Sequence, residues 1–200
     1  MSAHLHQDEQ GSRMGMWLFL LSEFMLFGGL FVLYAAYLTR YPADFVAAGR
    51  ELNLPLGTTN TAVLLTSSLL VAMAVSAMQA ARRRLTLGLL GATLLCAAVF
   101  LVIKYLEWRA KFAHGIYPNS PELAHRPHGQ VLFFGLYFTI TGLHALHVLA
   151  GGVLLAVSLV LAARGRIAAQ RYVFLENSAL YWHLVDMVWI FIFPLFYLIV

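Results

Sequence analysis

The sequence predicts an all-α, polytopic membrane protein: a bundle of five transmembrane helices, N-terminus cytoplasmic and C-terminus periplasmic. Of its 200 residues, 61% are hydrophobic and only 11% charged, against about 25% charged in a soluble domain. The mean hydropathy is +0.77. Five runs reach the roughly 20 apolar residues needed to cross a hydrocarbon core. They are continuous rather than alternating, which excludes a β-barrel. The same balance excludes a disordered chain, a disulfide scaffold and an ordinary soluble enzyme. Cys96, the single cysteine, can form no internal disulfide and build no zinc or iron–sulfur site alone.

The first span covers about residues 16–38. It is too long for a secretory signal, contains Glu23, and is followed by no A-x-A cleavage site. The chain is therefore expected to be one mature unit and one domain over 1–200. The second span covers about 61–81, where Ser68, Ala72, Ser76 and Ala80 recur every four residues. Small residues permit close helix contact in a membrane, so this stripe is expected to pack in the bundle rather than line a pore. The third covers about 85–105 and repeats the pattern at Gly88 and Ala92; Arg82-Arg83-Arg84 between the two implies a tight antiparallel hairpin. The fourth covers about 131–163, long enough to tilt or protrude, with Gly135, Gly142, Gly151 and Gly152 as smooth patches. The fifth covers about 175–200, where Pro194 removes a backbone donor and is expected to kink the outer end.

The short connections set the orientation. Arg13, Arg82, Arg83, Arg84, Arg164, Arg166 and Arg171 fall on the N-terminal side, and the remaining six of the 13 Lys and Arg on the other. Arginines in very short loops weigh most, which places the N-terminus in the cytoplasm. The net charge of +4 and pI near 9.4 then express membrane orientation and lipid contact, with no nucleic acid as partner. Arg82, Arg83, Arg84, Arg164 and Arg166 are expected to form a rim for anionic lipid.

Ionisable groups inside spans are costly and point to function by default. Glu23, His144, His147, His183 and Asp186 qualify. Glu23 lies about 10 Å from the cytoplasmic end of its span at 1.5 Å per residue. His183 lies at nearly the same depth and His147 near mid-span, so these three are expected to share one polar layer. Such a layer reads either as a proton-handling or lipid-headgroup site, or as a hydrogen-bond cluster that pins helices. Asp186 follows His183 by one turn, a spacing that suits a carboxylate orienting an imidazole. Despite eight histidines no ligand set converges, so no metal site is expected. The aromatics around Tyr181, Trp182, Trp189 and Phe193 read as a lipid face with interfacial anchors rather than a quinone pocket. His4 and His6, beside Asp8 and Glu9, either exchange protons with bulk water or form an ordinary solvated tail.

Three segments carry a resemblance. Trp182-His183-Leu184-Val185-Asp186-Met187-Val188-Trp189 resembles the W-H-x-V-D-x-x-W signature in the last helix of haem–copper oxidase subunit III. Thr141-Gly142-Leu143-His144-Ala145-Leu146-His147-Val148 resembles that family's T-G-x-H-x-x-H-V helix. Gly15-Met16-Trp17-Leu18-Phe19-Leu20-Leu21-Ser22-Glu23, with Phe27, resembles its helix bearing a membrane-embedded glutamate. Asn60-Thr61, Ser67-Ser68 and Tyr105-Leu106-Glu107-Trp108 match more loosely, in the expected order.

The resemblance implies a non-catalytic subunit beside the catalytic subunit I of a respiratory terminal oxidase, cytochrome c oxidase first. That complex is a proton-translocating, O2-reducing oxidoreductase of aerobic electron transport in the bacterial inner (plasma) membrane. In it, subunit III holds structural phospholipid and supports proton uptake and durability of subunit I. It has no catalytic centre and binds no cofactor itself; haem and copper sit in partner subunits. Implied partners are subunit I, the other oxidase subunits, phospholipids and, beyond them, a respiratory supercomplex. Glu23, His147 and His183 match the family's intramembrane glutamate and helix histidines. Longer members have seven helices, of which the five here match the third to seventh. The arm of the V-shaped lipid cleft built by their first two is expected to be missing or supplied by another subunit. Quinol oxidase subunit III and an accessory subunit of a nitric oxide reductase are the alternatives. An independent proton-coupled transporter is disfavoured, because there is no inverted repeat and no pair of broken helices.

Overall fold

The computed structural model describes residues 2–199, with side chains described from Gln10 onward. The side chains of His4 and His6, and Val200, lie outside the described residues. The helices are α1 (Ser2–Arg40), α2 (Pro42–Gly49), α3 (Leu54–Gln79), α4 (Arg83–Ala113), α5 (Pro121–Ala124), α6 (His128–Ala163) and α7 (Val173–Tyr197). Five of them, α1, α3, α4, α6 and α7, are long and apolar enough to cross a membrane. These are the five expected spans.

The helix ends differ from the apolar runs, and local chemistry explains why. α3 begins near 54 rather than 61 because Asn53 caps it: its Oδ1 accepts the Leu56 N–H at 3.1 Å, and Pro55 occupies the first turn. α4 runs to Ala113 rather than 105. Glu107, Arg109 and Lys111 are good helix formers, and the chain does not turn until Gly115 at φ +72°. Ala80–Arg82 closes the α3–α4 hairpin, with Ala81 held at φ +56°. Arg83 and Arg84 are thus the first turn of α4 rather than linker.

The five spans run up and down, with α7 packed against α1, α3 and α6, and α4 bridging α3 to α6. α7 is the most buried span and α1 the least. The lipid face expected of the α7 aromatics is corrected: Tyr181, Trp182 and Trp189 are buried in the bundle. Both tryptophans find a partner on α3, Trp182 Nε1 donating to Ser67 Oγ and Trp189 Nε1 to Thr61 Oγ1, both at 3.0 Å. Gly151 on α6 admits the Trp182 ring, since a Cβ there would lie 2.8 Å from it. Past Pro194, α7 stays helical to Tyr197, and the Tyr34 hydroxyl donates to the Leu195 carbonyl.

The expected small-residue face of α3 is corrected. Ala72, Ser76 and Ala80 are exposed, and the buried face carries Gly57, Asn60, Leu64, Ser67, Val71, Ala74 and Met78. The bonds to Trp182 and Trp189 fix that rotation. Gly88 is likewise exposed with open space around it, and Gly135 and Gly152 meet nothing; Gly142 and Gly151 are the real close approaches.

Candidate functional site

Glu23 on α1 and His147 on α6 meet inside the membrane span, Oε2 to Nε2 at 2.8 Å, each side chain about 15% exposed. His147 Nδ1 lies 2.8 Å from the Leu143 carbonyl one turn earlier. A carbonyl only accepts, so Nδ1 carries a proton in every state of the ring. Nε2 then faces the carboxyl with one proton between them. Either a neutral imidazole accepts from a carboxylic acid, or an imidazolium donates to a carboxylate. Both arrangements are net neutral. Aromatics wall it off: Phe27 meets the His147 ring edge-on at 5.1 Å, and Tyr181 stacks on it at 6.4 Å with Phe19 beyond at 5.9 Å.

His183 is not bonded to this pair, although it lies level with the stretch of α1 that carries Glu23, facing a groove it shares with Leu20 and Phe24. Its Nδ1 lies 2.8 Å from Ser68 Oγ on α3. The ring borders a groove of about 400 Å³ between α1 and α7, walled by Trp17, Leu20, Phe24 and Met187. Asp186 is buried, and neither of its oxygens has a hydrogen-bond partner among the described residues. The expected Asp186–His183 contact is therefore not formed; Ser68, arriving from α3, takes that role. His144 shares a spacing with His147 but not its environment. It is fully buried between Phe100 and Trp189 at 5.6 and 5.1 Å, with neither nitrogen hydrogen-bonded among the described residues.

With the motif-bearing segments placed on α1, α6 and α7, comparison with known proteins settles the family. Residues 1–199 match the family model described as cytochrome c oxidase subunit III. This chain belongs to the cytochrome c oxidase subunit III family. It is 28% identical over 195 residues to the cytochrome bo(3) ubiquinol oxidase subunit 3 of Pseudomonas aeruginosa, covering 98% of this chain and 88% of that one. It is 29% identical over 198 residues to the cytochrome c oxidase subunit 3 of Thermostichus vulcanus, covering 98% and 91%. A third relative, the heme-copper oxidase subunit I+III of Aeropyrum pernix, is 31% identical over 199 residues. The match covers 94% of this chain and 22% of that longer protein.

In this subunit III chain the basic rim takes shape at the end that holds the two tight turns. Arg82, Arg83, Arg84, Arg164 and Arg166 are all exposed there, and Arg82, Arg83 and Arg84 border a surface hollow of about 620 Å³. Arg83 has a second role. Its Nε donates to the Ala162 carbonyl at 2.8 Å and its Nη2 to that of Ala163, capping the C-terminus of α6. Arg13 pairs with Glu176 at 2.8 Å, tying α1 to the start of α7.

One buried cluster was not singled out from the sequence. Lys104 and Glu107, both 3% exposed, pair at 3.0 Å on α4. Lys104 Nζ also donates to the hydroxyls of Tyr197 at 2.7 Å and Tyr137 at 3.2 Å, and Tyr197 donates to Glu107 at 2.6 Å. The signal was present: Lys104 is the one charge between Leu85 and Tyr105, and Glu107 sits at i+3. Ending the span at 105 left Lys104 looking like a terminal residue whose head reaches water.

Proposed function

We propose that this chain is the non-catalytic subunit III of a haem–copper terminal oxidase in a bacterial plasma membrane, cytochrome c oxidase first, seated against catalytic subunit I. It supports proton uptake and the durability of subunit I. It binds neither haem nor copper, which belong to partner subunits, and its N-terminus faces the cytoplasm. The Glu23–His147 pair carries this reading. It holds one exchangeable proton at net neutrality, about 15 Å along α1 from Arg13 at 1.5 Å per residue. A neutral pair avoids most of the cost of an isolated intramembrane charge, and shifting its proton across 2.8 Å needs no rearrangement of the helices. The basic rim at the same end supports retention of anionic phospholipid beside subunit I.

Glu23→Gln in the assembled complex tests this. The amide keeps the shape and the contact to His147 but cannot release a proton. The expected result is slower steady-state proton uptake or faster inactivation during turnover, with haem and copper content unchanged. Uptake and turnover lifetime equal to wild type would mean that Glu23 only packs α1 against α6. The Pseudomonas relative favours a second reading, subunit III of a quinol oxidase, in which the same pair does the same work beside a different electron donor.

A further inference from the structure

We propose that the cavity under the α2–α3 and α4–α5 connections binds a phosphoethanolamine group, a primary ammonium joined to a phosphate, on the membrane face opposite the N-terminus. The cavity measures about 530 Å³, within the usual range for small-ligand sites. Its α4 residues Leu106, Glu107, Ala110 and Lys111 interleave with the exposed aromatics Tyr105 and Phe112, and Phe112 stacks on Tyr117, the composition expected of an interfacial belt. None of the groups that build it belongs to the Glu23–His147 pair or to the arginine rim, and the inference needs only the membrane-spanning fold.

The walls carry both signs of charge. On the cationic side, Glu51 fixes two side chains in place. Arg126 Nη1 donates to its carboxylate and Lys111 Nζ to its carbonyl, each at 2.6 Å. Both cations also lie over the Phe134 ring, at 5.6 and 5.7 Å. Lys111 keeps two N–H donors and Arg126 four, a set suited to a phosphate. On the anionic side Glu107 lines the wall, only 3% exposed and already accepting from Lys104 and Tyr197, and contributes its negative field. Beside it Glu122 is exposed and makes no ion pair among the described residues. His114 commits Nδ1 to the Ala110 carbonyl at 2.7 Å, which leaves Nε2 free. Leu56 and the half-exposed Leu106 extend the wall toward the hydrocarbon.

An ammonium donates to Glu122 and His114, with the buried Glu107 behind them, while its phosphate meets Lys111 and Arg126. A trimethylammonium has no donor to give, and a glycerol headgroup brings no cation to the carboxylates. The apolar wall below favours a phospholipid as the source over the free phosphoester. The test uses the purified complex that contains this chain, with photoactivatable phosphatidylethanolamine, phosphatidylcholine and phosphatidylglycerol of identical acyl chains, and maps the labelled peptides.

Labelling of the Leu56 and Leu106 peptides by the ethanolamine lipid is expected to exceed that by the choline lipid about tenfold, the lower end of the worth of one charge-assisted hydrogen bond. Glu122→Gln should abolish that preference and Glu122→Asp restore part of it, with the thermal stability of the complex unchanged. Lys111→Gln should weaken ethanolamine and choline lipids alike. Competition by millimolar soluble phosphoethanolamine would identify the free phosphoester as a ligand, and its absence would identify the lipid. Equal labelling by ethanolamine and choline lipids, or a preference that survives Glu122→Gln, overturns the proposal.

Discussion

His147 owes its chemistry to a backbone atom. The Leu143 carbonyl holds Nδ1 as a donor, and Nε2 is left to share a proton with Glu23. Sequence reading found both residues because ionisable groups in an apolar run stand out. It could not pair His183 correctly, since i, i+3 spacing places Asp186 on the same face but says nothing of Ser68 on another helix. Lys104 escaped for the opposite reason: near a span end, a lysine is expected to reach water. Its burial with Glu107 gives a sharp expectation. Lys104→Met strands a carboxylate at 3% exposure and should destabilise the chain by about 3–5 kcal/mol. Lys104→Met with Glu107→Gln should recover more than half of that loss. Thermal unfolding of the complex measures both, and a double variant as unstable as the single would refute the pairing as the cause.

At the scale of helices, the spans were legible because length and hydropathy are set by the bilayer. Their ends were less so: Asn53 and Gly115, not apolar content, decide where α3 starts and where the chain turns after α4. Which face of α3 packs inward was not legible at all. Lipid tails are as apolar as the bundle interior, so a buried face leaves no amphipathic trace. Ser67 and Ser68 read alike in the sequence, yet Ser67 bonds Trp182 and Ser68 bonds His183. The α3–α4 turn carries a local strain that is easily relieved. Ala81 is exposed at φ +56°, where a Cβ is disfavoured by about 1–2 kcal/mol. Ala81→Gly should stabilise the hairpin by about 0.5–1 kcal/mol, after the glycine's larger unfolded-state entropy is counted. A lower melting temperature for Ala81→Gly than for wild type would contradict that conformation.

For the whole molecule, the family and the five-span architecture were legible because motifs on α1, α6 and α7 survive in order. The division of labour among the arginines was not. Arg83 looks like its neighbours in sequence, yet it alone caps α6. Arg82→Gln with Arg84→Gln should therefore reduce the anionic lipid that co-purifies, with stability nearly unchanged. Arg83→Gln should lower thermal stability as well as lipid content, because it removes the cap on α6 together with one charge of the rim. Native mass spectrometry and unfolding curves on the same preparations separate the two; identical effects would show that all three act as one undifferentiated charge. The central claim is that this chain accompanies a haem–copper terminal oxidase. Its most direct test is to tag the chain, purify it from native membranes, and record the optical spectrum and metal content of what it carries. Haem a or haem o together with copper is the expected result; haem b with non-haem iron and no copper, or no haem at all, would contradict it.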